Sequence, residues 1–193
     1  MSRPDPIAED AALVAQAQAG DQAAFAELAC RYRPALVALG FDRTHNFDDA
    51  EDLAQEALVR ALEHLRELKE PAAFPAWLRS IAANLCASWT RRPAAFPLDE
   101  RAAGDDPDVV AAVIARHEQR ELARALQHLP TANRLALLMH TRDGMSYERI
   151  AAFLGVPVST IEGRIFRARE RLRRSLLDKA ASSRHRNKEN RND

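Results

Sequence analysis

The chain has 193 residues, 47% of them hydrophobic and 29% charged, with 28 basic and 28 acidic side chains. That length and balance suit one domain or two small ones with packed cores. No apolar run is long enough to cross a bilayer, and the start, MSRPDPIAEDAALVAQ, lacks a signal peptide's basic-then-apolar order, so a cytoplasmic protein is expected. Cys30 and Cys86 match no CxxC spacing and the histidines form no HxxxH pair, which speaks against a disulfide framework, a metal centre or metal chemistry. Neutrality hides a polarity along the chain. Residues 42–63 hold seven acidic side chains and two arginines, a local −5, whereas residues 159–179 hold seven basic and three acidic ones, a local +4. Such asymmetry suggests different partners for different parts.

In chain order, residues 1–19 read as an N-terminal extension. Asp21 can cap a helix through roughly Leu39, on which Phe25, Leu28, Tyr32, Leu36 and Leu39 recur at helical steps, with Pro34 expected to kink or split it. GFDRTHNFDD reads as a loop. Asp48 or Asp49 then caps a helix whose apolar face is Leu53, Ala57, Leu58, Ala61, Leu62 and Leu65, with Asp52, Gln55, Glu56 and Glu63 opposite. After the loop LKEPAAFP, a helix from Phe74 towards Arg92 carries Trp77, Ile81, Leu85 and Trp89 at four-residue steps, the register of a core. Residues 93–112, rich in proline and charge without a period, read as a linker. Next come a helix stopped by Pro130, a helix capped by Thr131, and a short helix capped by Ser146 and broken by Gly155. A last helix starts at Pro157 and Ser159. Residues 178–193 end in SSRHRNKENRND, which has no hydrophobic residue and reads as a disordered polar tail. No strand pattern is visible. The fold class is all-α, two small helical domains joined by a flexible linker.

The last two helices have the spacing of a helix-turn-helix. Ile150, Ala151 and Leu154 would line the inner side of the first, Gly155 supplies the left-handed residue of the turn, and Ile161 and Ile165 line the inner side of the second. At 100° per residue, Thr160, Arg164, Arg167, Arg171 and Arg174 form a second stripe beside the apolar one. Basic side chains there can neutralise phosphates, and those in the first turns, after Ser159, can reach base edges in the major groove. Gly163 flanks the stripe, where a glycine costs about 1 kcal/mol relative to alanine and so suggests a steric benefit. This module reads as DNA-binding, without specifying whether it belongs to a repressor, a response regulator or another factor.

Three runs decide further. GDQAAFAELACRYRPAL, DDAEDLAQEALVRALEHL and FPAWLRSIAANLCASWTRR resemble region 2 of the extracytoplasmic-function sigma factors, promoter-recognition subunits of bacterial RNA polymerase. LPTANRLALLMHTRDGMSYERIAAFLGVPVSTIEGRIFRARERLRR resembles region 4 of the same family. The resemblance covers residues 20–92 as region 2 and 113–177 as region 4. It implies core RNA polymerase (the clamp helices of the largest subunit, and the flap), promoter DNA and an anti-sigma factor as partners. Asp49, Glu51, Asp52, Gln55 and Glu56 would be polar contacts to the clamp helices, with Leu53 packing inward. For the −10 element the resemblance implies a base pocket in the loop from Lys69 to Phe74, Asn84 near exposed base edges, and Arg91 and Arg92 along the backbone. The −35 readers would be Ser159, Thr160, Glu162, Gly163, Arg164, Phe166, Arg167 and Arg171. Glu162 and Gly163 depart from the basic residue and serine often found there. Phe166 lies off both stripes, where it either touches a thymine methyl or covers the helix surface. No cofactor and no covalent chemistry are implied. A stand-alone helix-turn-helix regulator with a sensing or dimerisation domain is the alternative, and a helical metal-dependent hydrolase using the acidic run a more distant one.

Overall fold

The computed structural model describes residues 5–89, 120–141 and 144–189, with side chains to Ser175. Every regular element among the described residues is helical. The linker and Arg91 and Arg92 lie outside the described residues.

Residues 6–18 are not a bare extension. They form α1 (Pro6–Gln18), started by Asp5, whose carboxylate accepts from the Ile7 amide at 3.0 Å. Its fully buried positions are Val14 and Asp10, so an inward carboxylate interrupts the apolar period that sequence reading looks for. The Gln18 amide donates to the carbonyls of Leu65 and Leu68 at 2.9 and 2.8 Å, tying α1 to the turn that follows the third helix.

α2 (Gln22–Thr44) is capped by Asp21, which accepts from the amides of Ala23 and Ala24. It runs unbroken through Pro34, taking up the first part of the expected loop. The reason is burial on all sides: Pro34 to Ala38, Gly40 and Phe41 are enclosed, so this half of the helix has no polar face and no period. Tertiary packing here outweighs the proline's missing donor. A Cβ at Gly40 would lie 2.9 Å from the Ala50 Cα, so the glycine lets the next helix approach backbone to backbone. His45, left-handed at φ 56°, ends α2.

Asn46, rather than Asp48 or Asp49, caps α3 (Phe47–His64), accepting from the Asp48 amide at 2.9 Å. Its inner face is built of small residues, Ala50, Ala54, Ala57 and Ala61 with Leu53. Leu62, expected inside, is 53% exposed beside Val59 at 50%. Close α2–α3 packing selects alanine, and the bulkier side chain is left on the rim. Two short 3₁₀ turns lead into α4 (Phe74–Trp89), which buries Phe74, Leu78, Ala82 and Leu85. Trp77, Ile81 and Trp89 sit half-buried on its flank, packed against the core, one position round from the expected face.

The second half comprises α5 (described over 120–127), α6 (Thr131–Thr141), α7 (Tyr147–Leu154) and α8 (Val158–Glu189). α8 continues as helix to Glu189, through much of the segment read as a disordered tail; its alanines, arginines, lysines and glutamate have good helix propensity. The halves share one core that runs from Val14 to Ala168. α6 packs on α2, and α7 packs on α1 and α4. Tyr32 links them through an edge-on contact with Phe74 at 5.3 Å and a tilted contact with Phe153 at 6.2 Å. For that reason Phe153, not Leu154, joins Ile150 and Ala151 as a fully buried residue of α7, while Leu154 is half-buried.

Candidate functional site

The turn between α7 and α8 is built as its residues require. Ser146 caps α7 by accepting from the Arg149 amide at 3.3 Å. Gly155, at φ 69°, closes it by donating to the Ala151 carbonyl at 2.8 Å, and the Val156 amide donates to the same carbonyl at 3.1 Å. Both bonds end on one carbonyl, and the left-handed glycine turns the chain out of the helix there. Ile161, Ile165 and Ala168 bury the inner side of α8. Its outer side is consequently fixed towards solvent.

On that outer side Arg167 and Arg171 are exposed and Arg164 is half-buried. No acidic side chain among the described residues pairs with any of the three. Further along, Glu170 bonds Arg174 at 2.9 Å and lies 3.4 Å from Arg173; these hydrogen bonds, that to Arg174 foremost, hold its carboxyl below the ordinary carboxylate range. The free cations therefore lie in the earlier turns, where a groove-inserted helix meets DNA. Ser159 and Glu162 are exposed, and Thr160 is half-buried with its amide donating to the Pro157 carbonyl at 3.0 Å. Phe166 is 72% exposed, a large apolar side chain with no internal role. At Gly163 a Cβ would meet the Arg167 guanidinium at 3.1 Å, so the glycine leaves room for that side chain to lie across the helix.

The acidic face is on α3. Asp52 and Gln55 are exposed, Leu53 is buried, and Glu51 and Glu56 are half-buried, bonded to Arg33 and Arg60 at 2.6 Å each. Partial burial, then the charges of Asp52 and Asp48, push the Asp49 carboxyl above its ordinary value. Val59 and Leu62 continue the stripe of Asp52 and Gln55 at helical spacing. From sequence Leu62 is expected on the inner face and Val59 carries no expectation; a large exposed apolar pair next to a charged stripe is what singles them out.

The residues expected at the −10 element divide. Lys69 and Asn84 are exposed. Phe74 is only 1% exposed and packs edge-on against Tyr32, so the expectation that it lines a base pocket is corrected: it is core, because the turn ahead of α4 must plug the bundle. On the second half, Leu122, Leu126, Leu137, Leu138 and Leu172 line an open apolar groove between α5, α6 and α8. No group of side chains able to hold a metal ion occurs among the described residues, and none of their helices is long and apolar enough to cross a membrane.

A helical domain with an acidic face on α3, followed by a helix-turn-helix with a basic stripe, matches known proteins in both parts. The family described as Sigma-70 region 2 matches residues 28–95, and Sigma-70, region 4 matches residues 119–172. The ECF RNA polymerase sigma-E factor of Escherichia coli K12 is 34% identical over 174 residues, covering 83% of this chain and 91% of the relative. A relative named "Probable RNA polymerase sigma factor RfaY", of Xanthomonas campestris pv. campestris, is 30% identical over 171 residues; the chain spans only 43% of its length. The solved structure of CnrH in complex with the cytosolic domain of CnrY matches with a TM-score of 0.57 and 31% identity, over 88% of this chain and 97% of that one. The chain belongs to the sigma-70 family of RNA polymerase sigma factors, in its extracytoplasmic-function group.

Proposed function

We propose that this chain works in the cytoplasm as a dissociable promoter-recognition subunit, without covalent chemistry of its own. Its region 2, residues 20–92, holds core polymerase through Asp49, Glu51, Asp52, Gln55 and Glu56, with Leu53 fixing the helix from inside. Val59 and Leu62 extend that contact with apolar area that water alone covers in the free protein. Lys69 and Asn84, exposed on the α4 side, meet the opened −10 strand, with Arg91 and Arg92 along its backbone. Region 4, residues 113–177, reads the −35 duplex with Ser159, Thr160, Arg164, Phe166, Arg167 and Arg171, and Glu162 and Gly163 adjust which bases are accepted. The apolar groove between α5, α6 and α8 suits the flap of the polymerase. An anti-sigma factor is a further partner, supported by the complex in which the similar CnrH was solved.

The observation that carries this reading is the separation of charge: unpaired arginines on the outer side of α8 and a carboxylate stripe on α3. A basic surface suits phosphate and an acidic one suits basic helices. Binding free energy gained at both surfaces is available for strand separation.

Two variants test the division of labour in reconstituted transcription. Arg164→Ala is expected to weaken −35-dependent initiation by about tenfold, the loss of a contact of 1–3 kcal/mol, and to leave polymerase binding unchanged. Lysines in place of both Asp52 and Glu56 are expected to do the reverse. If each variant lowers both activities equally, the surfaces have been assigned wrongly.

A further inference from the structure

An ionic cluster not used by any of these surfaces joins the two halves of the chain. Asp10 of α1 is 1% exposed. Its carboxylate accepts from Arg31 at 2.5 Å and from the Tyr32 hydroxyl at 2.7 Å, both on α2. It also accepts from the Arg149 guanidinium on α7, Nε at 3.0 Å and Nη2 at 3.2 Å, and Arg149 reaches Glu9 at 3.1 Å. Burial, and then the neighbouring Asp10 charge, raise the Tyr32 hydroxyl above its ordinary pKa, so it remains a donor. Arg31 also bonds Glu27 at 2.8 Å, so three carboxylates face two guanidiniums, and the single negative charge left over doubles if Arg149 undocks. Separation of α7 from α1 leaves two excess negative charges on the first half and one positive charge on the second.

Two further links cross the same interface. Arg134 of α6 bonds Asp42 of α2 while three carbonyls at the end of α5, those of Leu126, Gln127 and Leu129, accept from its other nitrogen. Arg79 of α4 donates to the Leu154 carbonyl at 2.7 Å, at the turn of the helix-turn-helix itself. The helix assigned to the −10 element thus touches the module assigned to the −35 element. At 3.4 Å per base pair, the roughly 25 base pairs between those positions span about 85 Å of duplex. Both elements cannot be engaged while this contact is closed.

We infer that the Asp10–Arg149 cluster, with Asp42–Arg134, is an intramolecular latch that holds the free chain in a closed state unable to occupy a promoter. The inference rests on the assignment of the two DNA-reading surfaces above. Breaking a buried ion pair by removing one partner leaves an uncompensated charge, so the closed state is sensitive to single side chains. Buried apolar contacts such as Tyr32–Phe153 set a baseline for closure, and the arginines fix its register.

The test measures distance and activity on the full chain. Spin labels on the exposed native Cys30 and on Arg173→Cys, in a Cys86→Ala background, report the separation of the halves by pulsed electron paramagnetic resonance. The otherwise native chain is expected to give one short distance. The double variant Arg149→Gln/Asp42→Asn is expected to raise the population at long distances about tenfold, within the usual range of a site-to-site coupling. The same variant without labels should reach half-maximal promoter-specific transcription with core polymerase at about one-tenth of the native concentration. Helix content by circular dichroism checks folding, and the single variant Asp42→Asn, at a partly exposed site, replaces the double one if that loses helix. Long distances in the native chain, unchanged distances in the folded variants, or opening without any gain in transcription would each overturn the latch. Absence of promoter-specific transcription with the native chain would instead overturn the proposed function, and leaves the distances to judge the latch.

Discussion

Single glycines do different work in this chain. Gly40 is where α2 and α3 meet backbone to backbone, and an added Cβ would sit 2.9 Å from the Ala50 Cα. Gly40→Ala should therefore cost about 1–3 kcal/mol, as overpacking does, read as a lower midpoint in chemical denaturation. Gly163→Ala should behave oppositely. Its Cβ meets only the mobile end of Arg167, so the helix gains up to about 1 kcal/mol of propensity while Arg167 is displaced and binding to −35 duplex changes. Equal destabilisation by both substitutions would contradict these roles. The sequence made the function of Gly155 legible, because a left-handed residue between two short amphipathic patterns has a local cause. Gly40 has none: its constraint comes from Ala50 on another helix. Phe153 was hidden for the same reason, since what buries it is Tyr32 from the other half of the chain.

Helices with one wet face are the ones whose place follows from sequence to within a residue or two. α3, α7 and the start of α8 alternate apolar and polar residues, and their caps are local. Asn46 holds the first free amides of α3, so Asn46→Ala should lower stability by about 1 kcal/mol, measured by thermal unfolding. α1 and the second half of α2 escaped because their inner residues break the rule: a buried carboxylate in α1, enclosure on every side in α2. At the −10 side, Phe74 shows the limit of a family resemblance. The motif places it in a reading loop, whereas burial against Tyr32 makes it a core residue. On α8 exposure follows directly from the inward stripe, which leaves Arg167 and Arg171 exposed and Arg164 half-buried. Arg171→Ala should weaken binding to −35 duplex similarly for all sequences and lower the slope of log affinity against log salt by about 1. A loss confined to one base position would mean that it reads bases instead.

The whole chain combines near-neutral net charge with two surfaces of opposite sign and an interface between its halves held by arginines. Zero net charge keeps non-specific attraction to DNA weak and leaves targeting to the assembled polymerase. Domain identity was visible in the motifs, but the pairing of Asp10 with Arg149 across the chain was not, because nothing local to either residue specifies the other. The closed arrangement is a property of long-range packing. The most direct measurement of the central claim is transcription reconstituted from purified core polymerase, a promoter library and this chain. The account predicts initiation at a defined set of promoters only when the chain is present, and loss of that initiation when Asp52 and Glu56 are both changed to lysine. Binding of the chain alone to the same duplex sites, with polymerase start sites unchanged by its presence, would contradict it.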